Sequence, residues 1–253
     1  MLELLITESY ADAVRRITLN RPEKRNAISR PMFAELTAAF TREPSAQERV
    51  TVIDAVGPTF CSGVDLSQRT EGGDGEGESP LERLCFAIHS YPLPVVAVLQ
   101  GSAIGGGAML AMHCDFVVAA VEAKIGNSAV QLGLVPTWPV VRHVLSAARA
   151  TIAARMLLLG DLMPAVELKN AGIIMAAVEA DALVATTDAI VTRLARNAPL
   201  SLRAVKASLN TRAVAPLPHE EVLQLIRAVQ QSEDAAEGVR ARGEKRTPVY
   251  LGR

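Results

Sequence analysis

Short apolar runs alternate with stretches of helical period along most of the chain. LELLIT (residues 2–7) and AVRRITL (13–19) read as an opening antiparallel strand pair, and Ser29 with Pro31 marks a helix start ahead of MFAELTAAF. RVTVIDAVG (49–57) predicts a strand, LERLCFAIHS (81–90) a helix, and PVVAVLQ (94–100) and DFVVAA (115–120) two further buried strands. Strands alternating with helices predict a largely parallel sheet covered on both faces, an α/β fold. From Trp138 onward the period is mostly helical, with IIMAAVEA (173–180) as the last clear strand. DALVATTDAIVTRLARNAP, LSLRAVKASLN and EEVLQLIRAVQQ then predict three closing helices, which either cover the same core or form an oligomer interface.

Two places break this rhythm. TEGGDGEGESP (70–80) is a surface loop by composition, and its acids lack the ligand alternation of a calcium loop. In QGSAIGGGAMLAMHCDF (100–116), Gly105, Gly106 and Gly107 stand between a strand and a helix. Glycine costs about 1 kcal/mol relative to alanine in a helix, so three in a row predict a close backbone approach. No lysine accompanies them, which excludes a P-loop, and the spacing of a dinucleotide fingerprint is absent. A helix start offering its amides to an anion or a developing negative charge remains, against the plainer alternative of tight strand-to-helix packing. A second stretch bears on the choice. In PTFCSGVDL (58–66), Gly63 permits a sharp turn that leaves the Val64 amide without a ladder partner, and two converging amides make an oxyanion hole.

Composition narrows the partners. A formal charge of -1 and a pI near 6.4 over 253 residues give no nucleic-acid footprint. No apolar run reaches the roughly 18 residues of a membrane span, and MLELLITESY has an acid where a secretory leader carries positive charge, so a cytoplasmic location is expected. Cys61, Cys85 and Cys114 form no CxxC pair, which argues against a disulfide framework or a zinc site.

Taken together, LNRPEKRNAIS (19–29), FCSGVDL (60–66), GSAIGGGAMLAMHCDF (101–116), IGNSAVQLGLVP (125–136) and EKRTPVYLG (244–252) resemble the crotonase, or enoyl-CoA hydratase/isomerase, superfamily nearly end to end. The resemblance implies a crotonase-like spiral of ββα units over residues 1–195 and a helical oligomerisation region over 196–253, assembled as a homotrimer or hexamer. It implies an acyl-CoA thioester as substrate or ligand, with no covalently bound cofactor and no metal. Val64 and Gly106 would supply the oxyanion hole. Lys24, Arg25, Ala27, Asp65 and Leu66 would border coenzyme A. Lys245 would reach a neighbouring subunit's ligand, although Arg242 replaces the aromatic residue often found just ahead of EKR.

The departures carry as much weight. Hydratases of the family use two glutamates, at positions that read Met109 and Ala129 here. Neither side chain moves a proton, and an aspartate that some isomerases carry aligns near Thr137. Met109 and Ala129 would instead make the pocket more apolar, with Trp138 as an aromatic wall for a fatty acyl chain; the plainer reading puts Met109 in the core. Asp65, Ser128 and Thr137 are the possible substitutes, beside Asn127, Gln131 and His89. Asp65 reads better as the cap of its own turn and Ser128 as a loop cap. His113, Cys114 and Asp115 are consecutive and cannot converge. The expectation is an acyl-CoA-binding protein of this family with doubtful hydratase activity, the alternative being a non-catalytic fatty acyl-CoA binder that delivers its ligand to a partner protein.

Overall fold

Every residue of the run VVAVL is buried, because its odd and even side chains enter two different cores. Val95, Ala97 and Leu99 face one apolar cluster, Val96 and Val98 another. The protein, a computed structural model, is described over residues 4–10, 13–68, 79–148, 150–211, 227–229 and 231–249. The strands are β1 (Leu5–Tyr10), β2 (Val14–Leu19), β3 (Val50–Ala55), β4 (Val95–Leu99), β5 (Ala103–Ile104), β6 (Phe116–Ala120), β7 (Lys124–Gly126), β8 (Leu162–Pro164) and β9 (Ala176–Val178). The helices are α1 (Arg30–Thr41), α2 (Pro80–Ser90), α3 (Gly106–Met112), α4 (Trp138–Ala147), α5 (Ala150–Ala154), α6 (Ala165–Asn170), α7 (Leu183–Arg196), α8 (Pro199–Thr211) and α9 (Glu233–Gly243).

Six strands form the main sheet in the order β1-β2-β3-β4-β6-β9, parallel except for the antiparallel β1 at its edge. Helices α1, α2 and α3 contribute to the larger core on one face, while Leu183, Val191 and Leu194 of α7 cover Val50, Val52, Val96, Val98 and Val118 on the other. The second, small sheet runs β5-β7-β8, with β5 parallel to β7 and β8 antiparallel to it. An isolated bridge joins Cys61 to Ala103 beside it. Each turn of the chain thus visits the main sheet, then the small one, then a helix: β3, Cys61, α2; β4, β5, α3; β6, β7, α4. This is the spiral of ββα units.

Local signals start and stop these elements. The Ser29 hydroxyl accepts from the Met32 N–H at the head of α1. Ser79 and Glu82 form a reciprocal capping box at the head of α2. Helix α8 docks on the core through the buried Lys206, whose Nζ donates to Leu93 O at 2.9 Å and meets Asp115 Oδ2 at 2.7 Å.

Two elements differ from the sequence reading. Strand β8 interrupts a stretch expected to be helical, and three residues paired with β7 are too few to leave a periodic signal. Helix α9 escapes prediction because its face packs through glycine: a Cβ on Gly238 would lie 1.9 Å from Leu132 O. Of the expected helix at 220–231, residues 220–226 and 230 lie outside the described residues, as does most of the acidic loop. Among the described residues no helix is long and apolar enough to cross a membrane.

Candidate functional site

The three adjacent glycines have three separate causes. Gly105 adopts φ 54°, ψ -119°, a conformation open to glycine, and a Cβ there would meet nothing within 4 Å. Gly107 is a packing glycine, since its Cβ would fall 2.5 Å from Cys61 O and 2.6 Å from Cys61 Cβ. For that position the tight-packing alternative holds. Gly106 alone faces Val64, with its Cβ position 3.1 Å from Val64 Cγ2 and 3.4 Å from Val64 N.

Val64 is held from the other side. The Ile28 N–H donates to Gly63 O at 2.8 Å and the Asp65 N–H donates to Ile28 O at 3.0 Å. A trans peptide points its N–H opposite to its C=O, so fixing Gly63 O on Ile28 turns the Val64 N–H away from Ile28. Gly63, at φ 104°, allows this approach, because a Cβ would lie 3.0 Å from Ile104 O and 3.4 Å from Gly106 N. Among the described residues, neither the Val64 nor the Gly106 N–H donates to a protein acceptor, whereas the Gly105 N–H donates to Gly126 O at 2.8 Å. Val64 is 39% exposed. Two unpaired backbone donors therefore stand close together, Gly106 buried and Val64 partly exposed, an arrangement that suits an oxygen that gains negative charge.

The loop before α1 supports this arrangement. Pro22–Lys24 form a short turn, after which Arg25 (φ 50°) and Asn26 (φ 53°) are both left-handed. Asn26 is buried, and its side chain accepts from the Arg21 N–H at 2.8 Å and donates to Val56 O at 2.9 Å and Thr59 O at 2.8 Å. Lys24 and Arg25 are exposed on this turn, and Ala27 is half-buried. Asp65 Oδ1 accepts from the Ser67 N–H at 3.2 Å and hydroxyl at 2.6 Å, and Oδ2 accepts from Arg21 at 2.6 Å. Burial pushes the Asp65 carboxyl up, but the bonds from Ser67 and Arg21 outweigh it and hold the group below its ordinary range. Asp65 caps its own turn and is already engaged as an acceptor. Leu66, half-buried, begins the short turn Leu66–Gln68.

The turn Ala129–Leu132 follows β7. The Ala129 N–H donates to Asn127 Oδ1 at 3.0 Å, whereas the Ser128 side chain makes no capping bond; the loop cap expected of Ser128 falls to Asn127. Gln131 Nε2 donates to Leu159 O at 3.0 Å, tying the turn to the π-helical residues Arg155–Leu159. Met109 is 0% exposed and sits in the main core, where the plainer reading puts it. Thr137 Oγ1 is buried and has no hydrogen-bond partner among the described residues. Trp138 opens α4, and its side chain lies outside the described residues. Lys245, exposed and left-handed at φ 56°, follows α9, where Glu237 pairs with Arg240 and Arg246.

The histidines gather elsewhere. The rings of His113 and His143 stack with centroids 3.9 Å apart, and His89 lies 6.1 Å from His143. His113 Nδ1 is 2.7 Å from Met109 O and His143 Nε2 is 2.5 Å from Met112 O, so each ring donates to the last turn of α3. Burial depresses all three, His113 to about 3. No group of three or more His, Cys, Asp or Glu among the described residues is placed to hold a metal ion. Sequence reasoning passed over Arg21 and Asn26; the signal was an asparagine at the end of a proline turn, a residue that tolerates the left-handed region.

A family model described as enoyl-CoA hydratase/isomerase matches residues 9–253. A probable enoyl-CoA hydratase of Rhodobacter capsulatus is 37% identical over 252 residues, covering 94% of each chain. A structure of methylmalonyl-CoA decarboxylase in complex with 2-nitronate-propionyl-CoA superposes with a TM-score of 0.93, at 24% identity over 99% of each chain, a likeness of fold. A crystal structure of an enoyl-CoA hydratase from Mycobacterium avium subsp. paratuberculosis gives a TM-score of 0.84 at 28% identity, covering 95% of this chain and 99% of that one.

Proposed function

This chain belongs to the enoyl-CoA hydratase/isomerase family, and from that premise we propose that it binds an acyl-CoA thioester with the carbonyl oxygen between the Val64 and Gly106 amides. The observation that carries the reading is the pair of adjacent, unpaired N–H groups of Val64 and Gly106, the former on a partly exposed residue. Lys24 and Arg25 meet the phosphates of coenzyme A, and the backbone of Ala27, Asp65 and Leu66 borders the rest of it. Lys245 serves a neighbouring copy's ligand in a homotrimer or hexamer, with residues 196–253 as the assembling region. Trp138 walls the acyl end.

The same reading makes hydration slow. Adding water across a 2-enoyl thioester needs one group to take a proton from water and another to deliver one to the α-carbon. Met109 and Ala129, at the family's glutamate positions, do neither. A positioned acid or base contributes about 10²- to 10⁴-fold and an oxyanion donor about 10²- to 10³-fold, so the hole alone leaves most of the rate missing. The engaged Asp65, and side chains at 109 and 129 that carry no proton, favour a second reading, a binder that holds fatty acyl-CoA and hands it to a partner protein.

Binding of [1-¹³C]octanoyl-CoA tests the grip: the carbonyl resonance moves downfield if the two amides polarise it, and an unmoved resonance overturns the reading. Incubation with crotonyl-CoA and longer 2-enoyl-CoAs, followed by loss of the enoyl absorbance, is expected to show little turnover. The double variant Met109→Glu/Ala129→Glu is expected to gain hydration; no gain would count against those two positions as the missing acids.

A further inference from the structure

The direction of the Val64 N–H depends on two chain segments that have no covalent reason to stay together. One carries Ile28, the other runs from Gly63 to Asp65, and their backbone contacts are the bonds of Ile28 to Gly63 O and from Asp65 to Ile28 O. One peptide step to either side, both segments end on the same atom. Arg21 Nη1 donates to Ala27 O at 3.1 Å and to Asp65 Oδ2 at 2.6 Å, stapling the residue before Ile28 to the residue after Val64.

Arg21 is in turn fixed at its own backbone. Its N–H donates to Asn26 Oδ1 at 2.8 Å, and its carbonyl accepts from the Asn26 N–H at 2.9 Å. Asn26 closes the frame on Val56 O and Thr59 O. The Arg21 and Asp65 side chains are 15% and 11% exposed, so water screens the pair far less than it screens a surface bridge. The far end of Asp65 is held by Ser67.

We propose that Arg21 is a positioning residue for the Val64 amide, acting through Asp65 and Ala27 to keep the Gly63–Val64 peptide plane aimed at the ligand oxygen. The proposal rests on the oxyanion reading of Val64 and Gly106. Arg21 touches no reacting atom. Its Nη1 is spent on Ala27 and Asp65 and its Nε lies 4.0 Å from Glu23 Oε1, and loss of the staple frees the 63–65 segment to rotate while the rest of the spiral stays in place.

The test uses the full chain and [1-¹³C]octanoyl-CoA, with the bound carbonyl resonance as the main readout and affinity for unacylated coenzyme A and the melting temperature as controls. Arg21→Met and Asp65→Ala are each expected to return the bound carbonyl most of the way to its free-ligand frequency. The double variant is expected to do no more than either single one, because the pair acts as one unit. Arg21→Lys, which keeps the cation beside Asp65 on a shorter side chain, is expected to restore part of the displacement. Arg21→Met binds coenzyme A itself as the wild type does. A wild-type displacement that survives both Arg21→Met and Asp65→Ala overturns the proposal and leaves the oxyanion reading standing. No displacement in the wild type overturns both. If Arg21→Met fails to fold, Asp65→Ala and Arg21→Lys decide: full wild-type displacement in Asp65→Ala sinks the positioning role.

Discussion

His113 is expected to make the protein lose stability in mild acid. The ring is 8% exposed, its Nδ1 sits 2.7 Å from Met109 O, and it stacks on His143. Burial chiefly, then the neighbouring His143, depresses its pKa from 6.5 to about 3. His89, Arg142 and the Lys206–Asp115 pair surround the cluster, and they leave the neutral form favoured. The sign follows from linkage. Above pH 6.5 the ring is neutral in both folded and unfolded chains; below it, only the unfolded chain takes up the proton, so stability falls as pH drops from 6.5 toward 3. At pH 5.0, 1.5 units below the unfolded value, His113 alone costs about 2 kcal/mol at 1.36 kcal/mol per unit. Urea unfolding at pH 7.5 and 5.0 reads this loss. Carboxylate contributions cancel against His113→Asn, whose amide Nδ2 takes the place of Nδ1 and still donates to Met109 O. The variant is expected to lose about 2 kcal/mol less than the wild type between the two pH values. An equal pH loss in both proteins would refute the reasoning.

The glycine row separates function from packing. Gly106→Ala places a methyl 3.1 Å from Val64 Cγ2 and 3.4 Å from Val64 N, a crowding of tenths of an ångström, and is expected to fold with a slightly lowered melting temperature while weakening acyl-CoA binding in calorimetry. Gly107→Ala meets Cys61 backbone at 2.5 Å and is expected to lose about 3 kcal/mol or more, or to fail to accumulate as folded protein, measured by urea unfolding. Lys206→Met leaves Asp115 and Leu93 O without their cation; with Asp115 24% exposed, the expected loss is about 3 kcal/mol, and a loss below about 1 kcal/mol would show that α8 docks by its apolar contacts alone.

Period and turn chemistry made the core legible in the sequence. The runs at 49–57, 94–100 and 115–120 are strands because both faces are covered, and continuous apolar runs record that directly. The site was legible only where a residue type has few uses. Gly63 and the glycine row announced a close backbone approach, yet which glycine faced Val64 and which faced Cys61 depends on how two units of the spiral stack, and no local pattern encodes that. Arg21 and Asp65, 44 positions apart, pair through the same stacking. Lys206 reads in sequence as a solvated cation on an amphipathic helix, but tertiary docking turns it inward to Asp115. The cap at 127–129 differs by one residue from expectation, because asparagine at 127 reaches the N–H two residues on, an Asx geometry, while Ser128 does not.

A pair of amides acts differently according to what stands beside it. In an enzyme with acid and base in place, charge builds on the thioester oxygen only at the transition state, and the amides speed the reaction by gripping that state more tightly than the bound substrate. On the proposed reading, with Met109 and Ala129 at the proton-transfer positions, the charge would not build, and the same two bonds would stabilise the ground-state thioester alone. Uniform binding of that kind strengthens affinity and adds nothing to turnover. On the proposed reading, saturated and 2-enoyl thioesters of equal chain length should therefore bind with closely similar Kd, since neither is carried toward an enolate. Installing Glu at 109 and 129 should raise turnover of the enoyl ligand while changing its affinity little. A wild-type protein that binds the enoyl form far more tightly than the saturated one would place a discriminating group over the α- and β-carbons, and the grip by backbone alone would no longer account for the site.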